Sequence, residues 1–391
     1  RAPNDAYYYL AVRRQVGDEV YVAVQHNNDR ALLFEHAGTL EIDGDSSPEI
    51  LTSAHYGDSW AALEFVDVLI DSASVVTRSL DGAVPVLFEL AETRLAGGVW
   101  DGRFIAADAS DEDGDGWRET VTFAIKTGLA RYPRGVGRAN IRTGELLWFT
   151  PFAGIVSRQI LAEDFDSDGE NEYVGVFTAP CNGVSVDDMT DSEVWVAALD
   201  DDGTVMWKYR TGESSGQGWP YSVDLNADGR LEVLTWESYG VSTSPDTVWL
   251  RTWDGETGEL RARWPNAGRI SGIEPGGVAA PRSVFICGED GFVRRITWDG
   301  GKLVNDRSFD CGEVLHGIGV LTVDPIPEPV VVVMGAEGTV CAFDLDLTLL
   351  GVLRTDELNG RLAPVRSVTF PDETRGASVG IGPKRGLMLL E

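Results

Sequence analysis

A chain of 391 residues carrying 63 acidic against 32 basic side chains has a formal charge of −31. A surface of that sign repels nucleic-acid phosphates and anionic lipid headgroups, so neither nucleic acid nor a membrane surface is an expected partner. The hydrophobic share of 43% suffices for a buried core, yet no apolar run is long enough to span a bilayer, so no direct membrane insertion is expected.

The chain starts at Arg1 without an initiator Met or a signal-like segment, and a longer parent protein is expected. Lysine is confined to Lys126, Lys208, Lys302 and Lys384, so the acidity fits either calcium ligation or a salt-rich habitat. Cys181, Cys287, Cys311 and Cys341 form no CxxC pair and have no His at metal spacing, which leaves free or singly bridged core thiols.

In chain order, the alternating patterns at 6–12, 19–24 and 30–34 predict strands. A worn acidic loop follows, Glu41, Asp43, Asp45 and Glu49, for which metal and solvated turn stand equal. Three further loops then align without gaps as Asp-x-Asp/Asn-x-Asp-Gly-x-x-Glu: residues 111–119, 164–172 and 224–232. Each leads into a β-rich run, at 120–125, 173–177 and 233–236. Beyond residue 270 only the outline of the loop persists, before the apolar runs 283–287, 330–333 and 377–381.

The other half of each unit is a hairpin, with Asp-Gly or Thr-Gly turning between alternating apolar residues, as in 194–209 and 249–260. The loops start near 41, 111, 164, 224, 274, 323 and 370, a period of roughly fifty, which is the span of one four-stranded propeller blade. The expected fold is all-β: a single domain over 1–391, a seven-bladed β-propeller of four-stranded antiparallel blades, closed by N-terminal strands that complete the last blade.

Calcium takes about 6–8 oxygen ligands. Carboxylates at loop positions 1, 3 and 5 converge, Gly at 6 permits the turn, a carbonyl ligates at 7 and an acid at 9 closes the site. The ligand sets are Asp111, Asp113, Asp115, the Trp117 carbonyl and Glu119; Asp164, Asp166, Asp168, the Glu170 carbonyl and Glu172; and Asp224, Asn226, Asp228, the Arg230 carbonyl and Glu232. Asp and Gly also favour plain solvated turns, which is the competing explanation. An EF-hand is rejected, because it needs a helix after the loop and Glu at position 12.

These loops resemble FG-GAP and VCBS repeats, and the hairpins look like those of quinoprotein-dehydrogenase-like propellers. The combination is similar to propeller domains of bacterial extracytoplasmic sensors. The resemblance implies Ca2+ on the face of the loops between first and second strands (A–B), and a ligand or partner on the face carrying the B–C and D–A loops. The later units lack the acids, so no metal is carried over to them.

The B–C loop 178–193 is the longest. Arg134, Arg158, Arg269, Arg361, Trp219 and His316 fall near that face as candidate ligand-binding residues; the arginines could hold a carboxylate or phosphate, although pairing with a local acid is the commoner role of such arginines, and blade packing that of Trp219 and His316. The expected function is non-catalytic recognition of a small ligand or protein, as the extracytoplasmic sensor part of a larger receptor. The alternatives are a quinoprotein-like oxidoreductase, for which an adjacent Cys-Cys pair is missing, and a cell-surface adhesion module.

Overall fold

The computed structural model describes residues 102–127, 131–140, 143–212, 218–236, 248–266, 268–323 and 326–354, the side chains of 158, 322, 323, 326 and 327 excepted, and elsewhere only the backbone of the strands named below. Two compact units divide the chain, Arg1–Ser215 and Gly216–Glu391. Among the described residues the only helical element is a 3-10 turn, Gly277–Ala279.

In the N-terminal unit a hairpin, β1 (Tyr9–Val16) and β2 (Glu19–His26), precedes a sheet of β3 (Leu33–Leu40), β4 (Glu49–Tyr56), β5 (Trp60–Asp71) and β6 (Ser74–Arg78), with β7 (Val86–Glu89) paired to β5. Next come two four-stranded antiparallel meanders. The first is β8 (Arg103–Ser110), β9 (Thr120–Lys126), β10 (Gly135–Asn140) and β11 (Glu145–Pro151). The second is β12 (Ile155–Glu163), β13 (Glu172–Thr178), β16 (Val194–Leu199) and β17 (Val205–Gly212), with a small hairpin, β14 (Ser185–Val186) and β15 (Met189–Thr190), inserted in its B–C loop.

The C-terminal unit repeats the meander three times. The strands are β18 (Tyr221–Val223), β19 (Glu232–Trp236), β20 (Val248–Asp254) and β21 (Leu260–Asn266); β22 (Ile270–Pro275), β23 (Ser283–Gly288), β24 (Phe292–Asp299) and β25 (Lys302–Asp310); and β26 (Leu315–Val323), β27 (Ile326–Gly335), β28 (Thr339–Phe343) and β29 (Leu349–Arg354). A three-stranded sheet of β30 (Val365–Thr369), β31 (Arg375–Gly380) and β32 (Leu387–Leu390) ends the chain. The expected completion of the last blade by N-terminal strands lies outside the described residues.

Burial explains which strands read as unbroken apolar runs. The second strands β13, β19 and β23 are buried on both faces, because each sits in a sheet with another sheet stacked on it. One core joins Ala124 and Val136 of the β8–β11 sheet to Phe152, Val156, Tyr173 and Trp195 of the next. Another joins Leu234 and Leu250 to Ile273, Val284 and Ile286, and a third joins Phe285 and Val293 to Ile318, Val331 and Phe343. First strands lie side by side, β8 against β12 and β22 against β26.

Polar pegs also link neighbouring sheets. The turn between β16 and β17 docks on the preceding sheet: Trp148 Nε1 donates to the Asp201 carbonyl at 2.9 Å, and Thr150 Oγ1 to the Gly203 carbonyl at 2.6 Å. Gly203 has φ of 84°, and a Cβ there would lie 2.7 Å from the Trp148 ring. Both the left-handed backbone and the flat ring therefore demand glycine. Gly203→Ala is expected to cost roughly 1–3 kcal/mol in urea unfolding followed by tryptophan fluorescence; an unchanged midpoint would mean the turn does not seat on the ring.

Candidate metal centre

The three intact acidic loops share one backbone. Position 4 is left-handed in each, at Gly114, Ser167 and Ala227 with φ of 73°, 68° and 60°, and so is position 6, at Gly116, Gly169 and Gly229 with φ of 95°, 99° and 88°. No atom crowds these glycines, so backbone conformation rather than space selects them. Strands β9, β13 and β19 start at the end of each loop, so no helix follows it.

Carboxylates hold the turn. Asp111 accepts from the amides of Gly114 (2.7 Å) and Gly116 (2.9 Å), and Asp113 and Asp115 accept from the amides two residues on. Asp164 accepts from the amides of Asp168 and Gly169, and Asp224 from those of Asp228 and Gly229. These bonds bring the acids together. One oxygen from each of Asp111, Asp113, Asp115 and Glu119 lies within 4.8 Å of the others, and the same holds for Asp164, Asp166 and Glu172. Asp168 is outside that second cluster and instead accepts from the Glu170 amide at 2.9 Å.

The closing acid at position 9 is the informative one. Glu119, Glu172 and Glu232 are all buried. Glu172 Oε2 accepts from the amides of Phe165 (2.6 Å) and Asp166 (3.2 Å), but its Oε1 is buried with no hydrogen-bond partner, and so is Glu119 Oε2. A buried carboxylate oxygen without a donor is costly, and it belongs to a cluster made only of oxygen ligands. Burial, abetted by Asp166 and Asp168, pushes the Glu172 carboxyl up to about 7 against the Phe165 and Asp166 amides. A hard cation would supply the missing partner for both orphan oxygens, so these two residue sets fit calcium.

The third loop differs. Asn226 Nδ2 donates to Asp228 Oδ2 at 3.0 Å and also reaches Glu232 Oε1, so an amide stands between the acids. The Leu225 amide donates to Glu232 Oε2 at 2.7 Å, and burial raises the Glu232 carboxyl despite that bond. No oxygen of Glu232 is left without a partner. The difference is written at position 3, which is Asn226 here and Asp113 or Asp166 in the other two loops.

The proposed ligand residues scatter. Arg134 is buried, donating from Nε to Thr127 Oγ1 and from Nη1 to the Ala153 carbonyl, both at 3.0 Å, with Asp191 Oδ2 at 3.5 Å. Asp191, in the long B–C loop, was not singled out by sequence; it also accepts from the amides of Asn182 (3.0 Å) and Gly183 (3.1 Å). Arg269 pairs with Glu289 at 3.4 Å. Trp219 donates to the Tyr221 hydroxyl and packs edge-on against Trp236 at 4.3 Å. His316 is half-buried within β26. Arg158 falls inside β12, but its side chain lies outside the described residues, as do Arg361 and the Glu41–Glu49 loop.

Four-stranded antiparallel meanders, stacked face to face with first strands adjacent, make this chain an all-β protein of the β-propeller class. The Dos1 propeller is similar in structure, with 12% identity, a TM-score of 0.53, and coverage of 90% of this chain and 76% of that one. Sqt1 from Chaetomium thermophilum, bound to the N-terminus of the ribosomal protein L10, matches with 11% identity and a TM-score of 0.50 over 92% of this chain and 90% of that one. No family model matches the chain, and no curated protein does.

Proposed function

We infer that this chain is a non-catalytic recognition propeller whose A–B loops at Asp111–Glu119 and Asp164–Glu172 bind calcium, and that it works outside the cytoplasm as the sensing part of a larger receptor. The observation that carries the calcium assignment is the pair of orphan oxygens, Glu119 Oε2 and Glu172 Oε1, each buried beside converging carboxylates. Most of the other acids in these loops are exposed. Such open sites bind calcium weakly and fill where the ion is plentiful, as outside cells. The likeness to Sqt1, solved with a protein segment bound, supports a protein partner.

Under this assignment the first two loops are the calcium sites, and the third is self-satisfied by the Asn226 amide. Calorimetric titration of the chelator-stripped protein with calcium chloride is expected to give two ions per chain, with Asp113→Ala and Asp166→Ala each removing one. No binding heat at millimolar calcium, or a stoichiometry unmoved by both substitutions, would refute the assignment.

A further inference from the structure

Outer strands of a propeller blade expose unpaired backbone to solvent, and charge normally guards them. That guard is present in three of the described sheets: β17 carries Lys208 and Arg210, β21 carries Arg261 and Arg263, and β25 carries Lys302, Asp306 and Arg307. In β29 it is reduced to the last residue, Arg354, after an uncharged run of Leu-Leu-Gly-Val-Leu. Every residue of β29 is exposed: Leu349 at 39%, Leu350 at 52%, Val352 at 50% and Leu353 at 47%. The strand pairs only with β28 and ends its sheet, so one backbone edge has no partner strand.

Cross-strand register shows how the apolar atoms are arranged. Val352 lies opposite Cys341 and Leu349 opposite Phe343, two members of the core shared with the preceding sheet, whereas Leu353 lies opposite Val340. The β29 side chains thus extend the apolar surface of the sheet on both faces out to its rim. A tract of this size and β-propensity, without a charge inside it, is a ready template for one more strand.

Charge around the strand selects the occupant. The turn Asp344–Leu347 that leads into β29 also lines a cleft of about 550 Å³ with Glu328, Arg282 and Arg295. In that cleft Arg295 is taken by Asp306 and Asp346, both at 2.6 Å, and Arg282 reaches the Asn226 carbonyl. Glu328 and Asp344 make no ion pair among the described residues, and Asp344 uses only its Oδ1, for the amides of Asp346 and Thr348. The free charge at the Leu349 end is therefore acidic. At the other end the exposed cation of Arg354 lies opposite Thr339, with Glu337 exposed beside Glu313, so this end is of mixed charge. A second copy of a chain with a charge of −31 is repelled from such an edge.

The geometry points to β29 as a docking strand for an extended peptide segment of a partner protein, with alternating apolar residues and lysine or arginine at the end that lies beside Leu349. Main-chain bonds to the open edge supply the affinity, the apolar rim supplies the fit, and Glu328 and Asp344 receive a terminal basic side chain. This surface is independent of the calcium loops, since the sheet that carries it has no acidic A–B loop.

The probe is a fluorescein-labelled ten-residue peptide of alternating valine and threonine with lysine at each end, followed by anisotropy against the full chain at low salt. Saturable binding is expected, weakened at least tenfold when glutamate replaces the terminal lysines or when the chain carries Leu350→Lys and Val352→Lys. Those two sites are exposed, so the variant's melting temperature should stay with the wild type; Glu328→Gln provides a second variant that leaves the strand intact and should weaken the lysine-ended peptide only. No binding, or binding indifferent to all these changes, would overturn the proposal. So would self-association in sedimentation velocity that Leu350→Lys abolishes, which would make the occupant a second copy.

Discussion

Asp191→Ala is expected to lower the unfolding free energy of the N-terminal unit by about 3–5 kcal/mol, because it strands the buried Arg134 guanidinium. The side chains of Arg134 and Asp191 are 1% and 4% exposed, so water cannot replace the lost partner. Asp191 also closes its own loop by accepting the Asn182 and Gly183 amides, which the alanine leaves unbonded. Asp191→Asn keeps an oxygen for those amides but not the charge, and should cost less. Arg134→Met with Asp191→Leu removes both charges and should recover most of the loss. Urea unfolding followed by tryptophan fluorescence measures all three. A loss under 1 kcal/mol for Asp191→Ala would show that the pair is not what holds the two B–C loops together.

The same pair shows where sequence runs out. Arg134 stands in an acidic chain with no acid close by in sequence, which suggests an anion-binding residue. Its counter-charge comes from the B–C loop of the next sheet, and only folding brings the two together. Trp219 has the packing role more usual for an aromatic residue in a blade than that of a ligand platform, spending its indole N–H on Tyr221 and its ring on Trp236. Stacked sheets consume aromatic and arginine side chains between blades, and spacing along one chain is blind to what a neighbouring blade offers.

What was legible has a local cause. Strand patterns, tight Gly turns and acidic loops are decided within about ten residues by period-2 burial and by left-handed positions, so the repeat of sheets could be read directly. The Asp111 and Asp164 loops were legible for the same reason, since their carboxylates converge through amides of their own turn. The Asp224 loop fits the same pattern but has Asn226 where the others have Asp113 and Asp166, and that single amide satisfies two acids. The strand Leu349–Arg354 misleads in the opposite sense: it spells a core strand and lies at the rim, since a strand's place in a sheet is not written in its own residues.

Removing calcium with a chelator at pH 7.5 is expected to lower the melting temperature of the N-terminal unit by roughly 10–20 °C. At a hundredfold excess over the dissociation constant each site contributes about 2.7 kcal/mol, and two sites about twice that; one kcal/mol moves a unit of this size by about 2–4 °C. The ion also flattens the pH dependence. Without calcium, the Glu172 carboxyl titrates near 7 in the folded chain against an ordinary 4.5. The folded state then holds its proton more tightly than the unfolded one, so its stability is full below pH 4.5 and falls as pH rises toward 7, by roughly 3 kcal/mol. Calcium requires the carboxylate and competes with that proton, so with calcium in hundredfold excess most of that fall should disappear.

Glu172→Gln separates the two effects, because a neutral amide has nothing to ionise and offers a poorer ligand. It should raise the melting temperature in chelator at pH 7.5 and reduce the increment that calcium gives. Since Glu172 is sealed from solvent at the foot of its loop, a surface-charge effect cannot mimic that pair of outcomes. If Glu172→Gln destabilises the protein equally with and without calcium, the carboxylate is a structural anchor for the Phe165 and Asp166 amides and not a metal ligand.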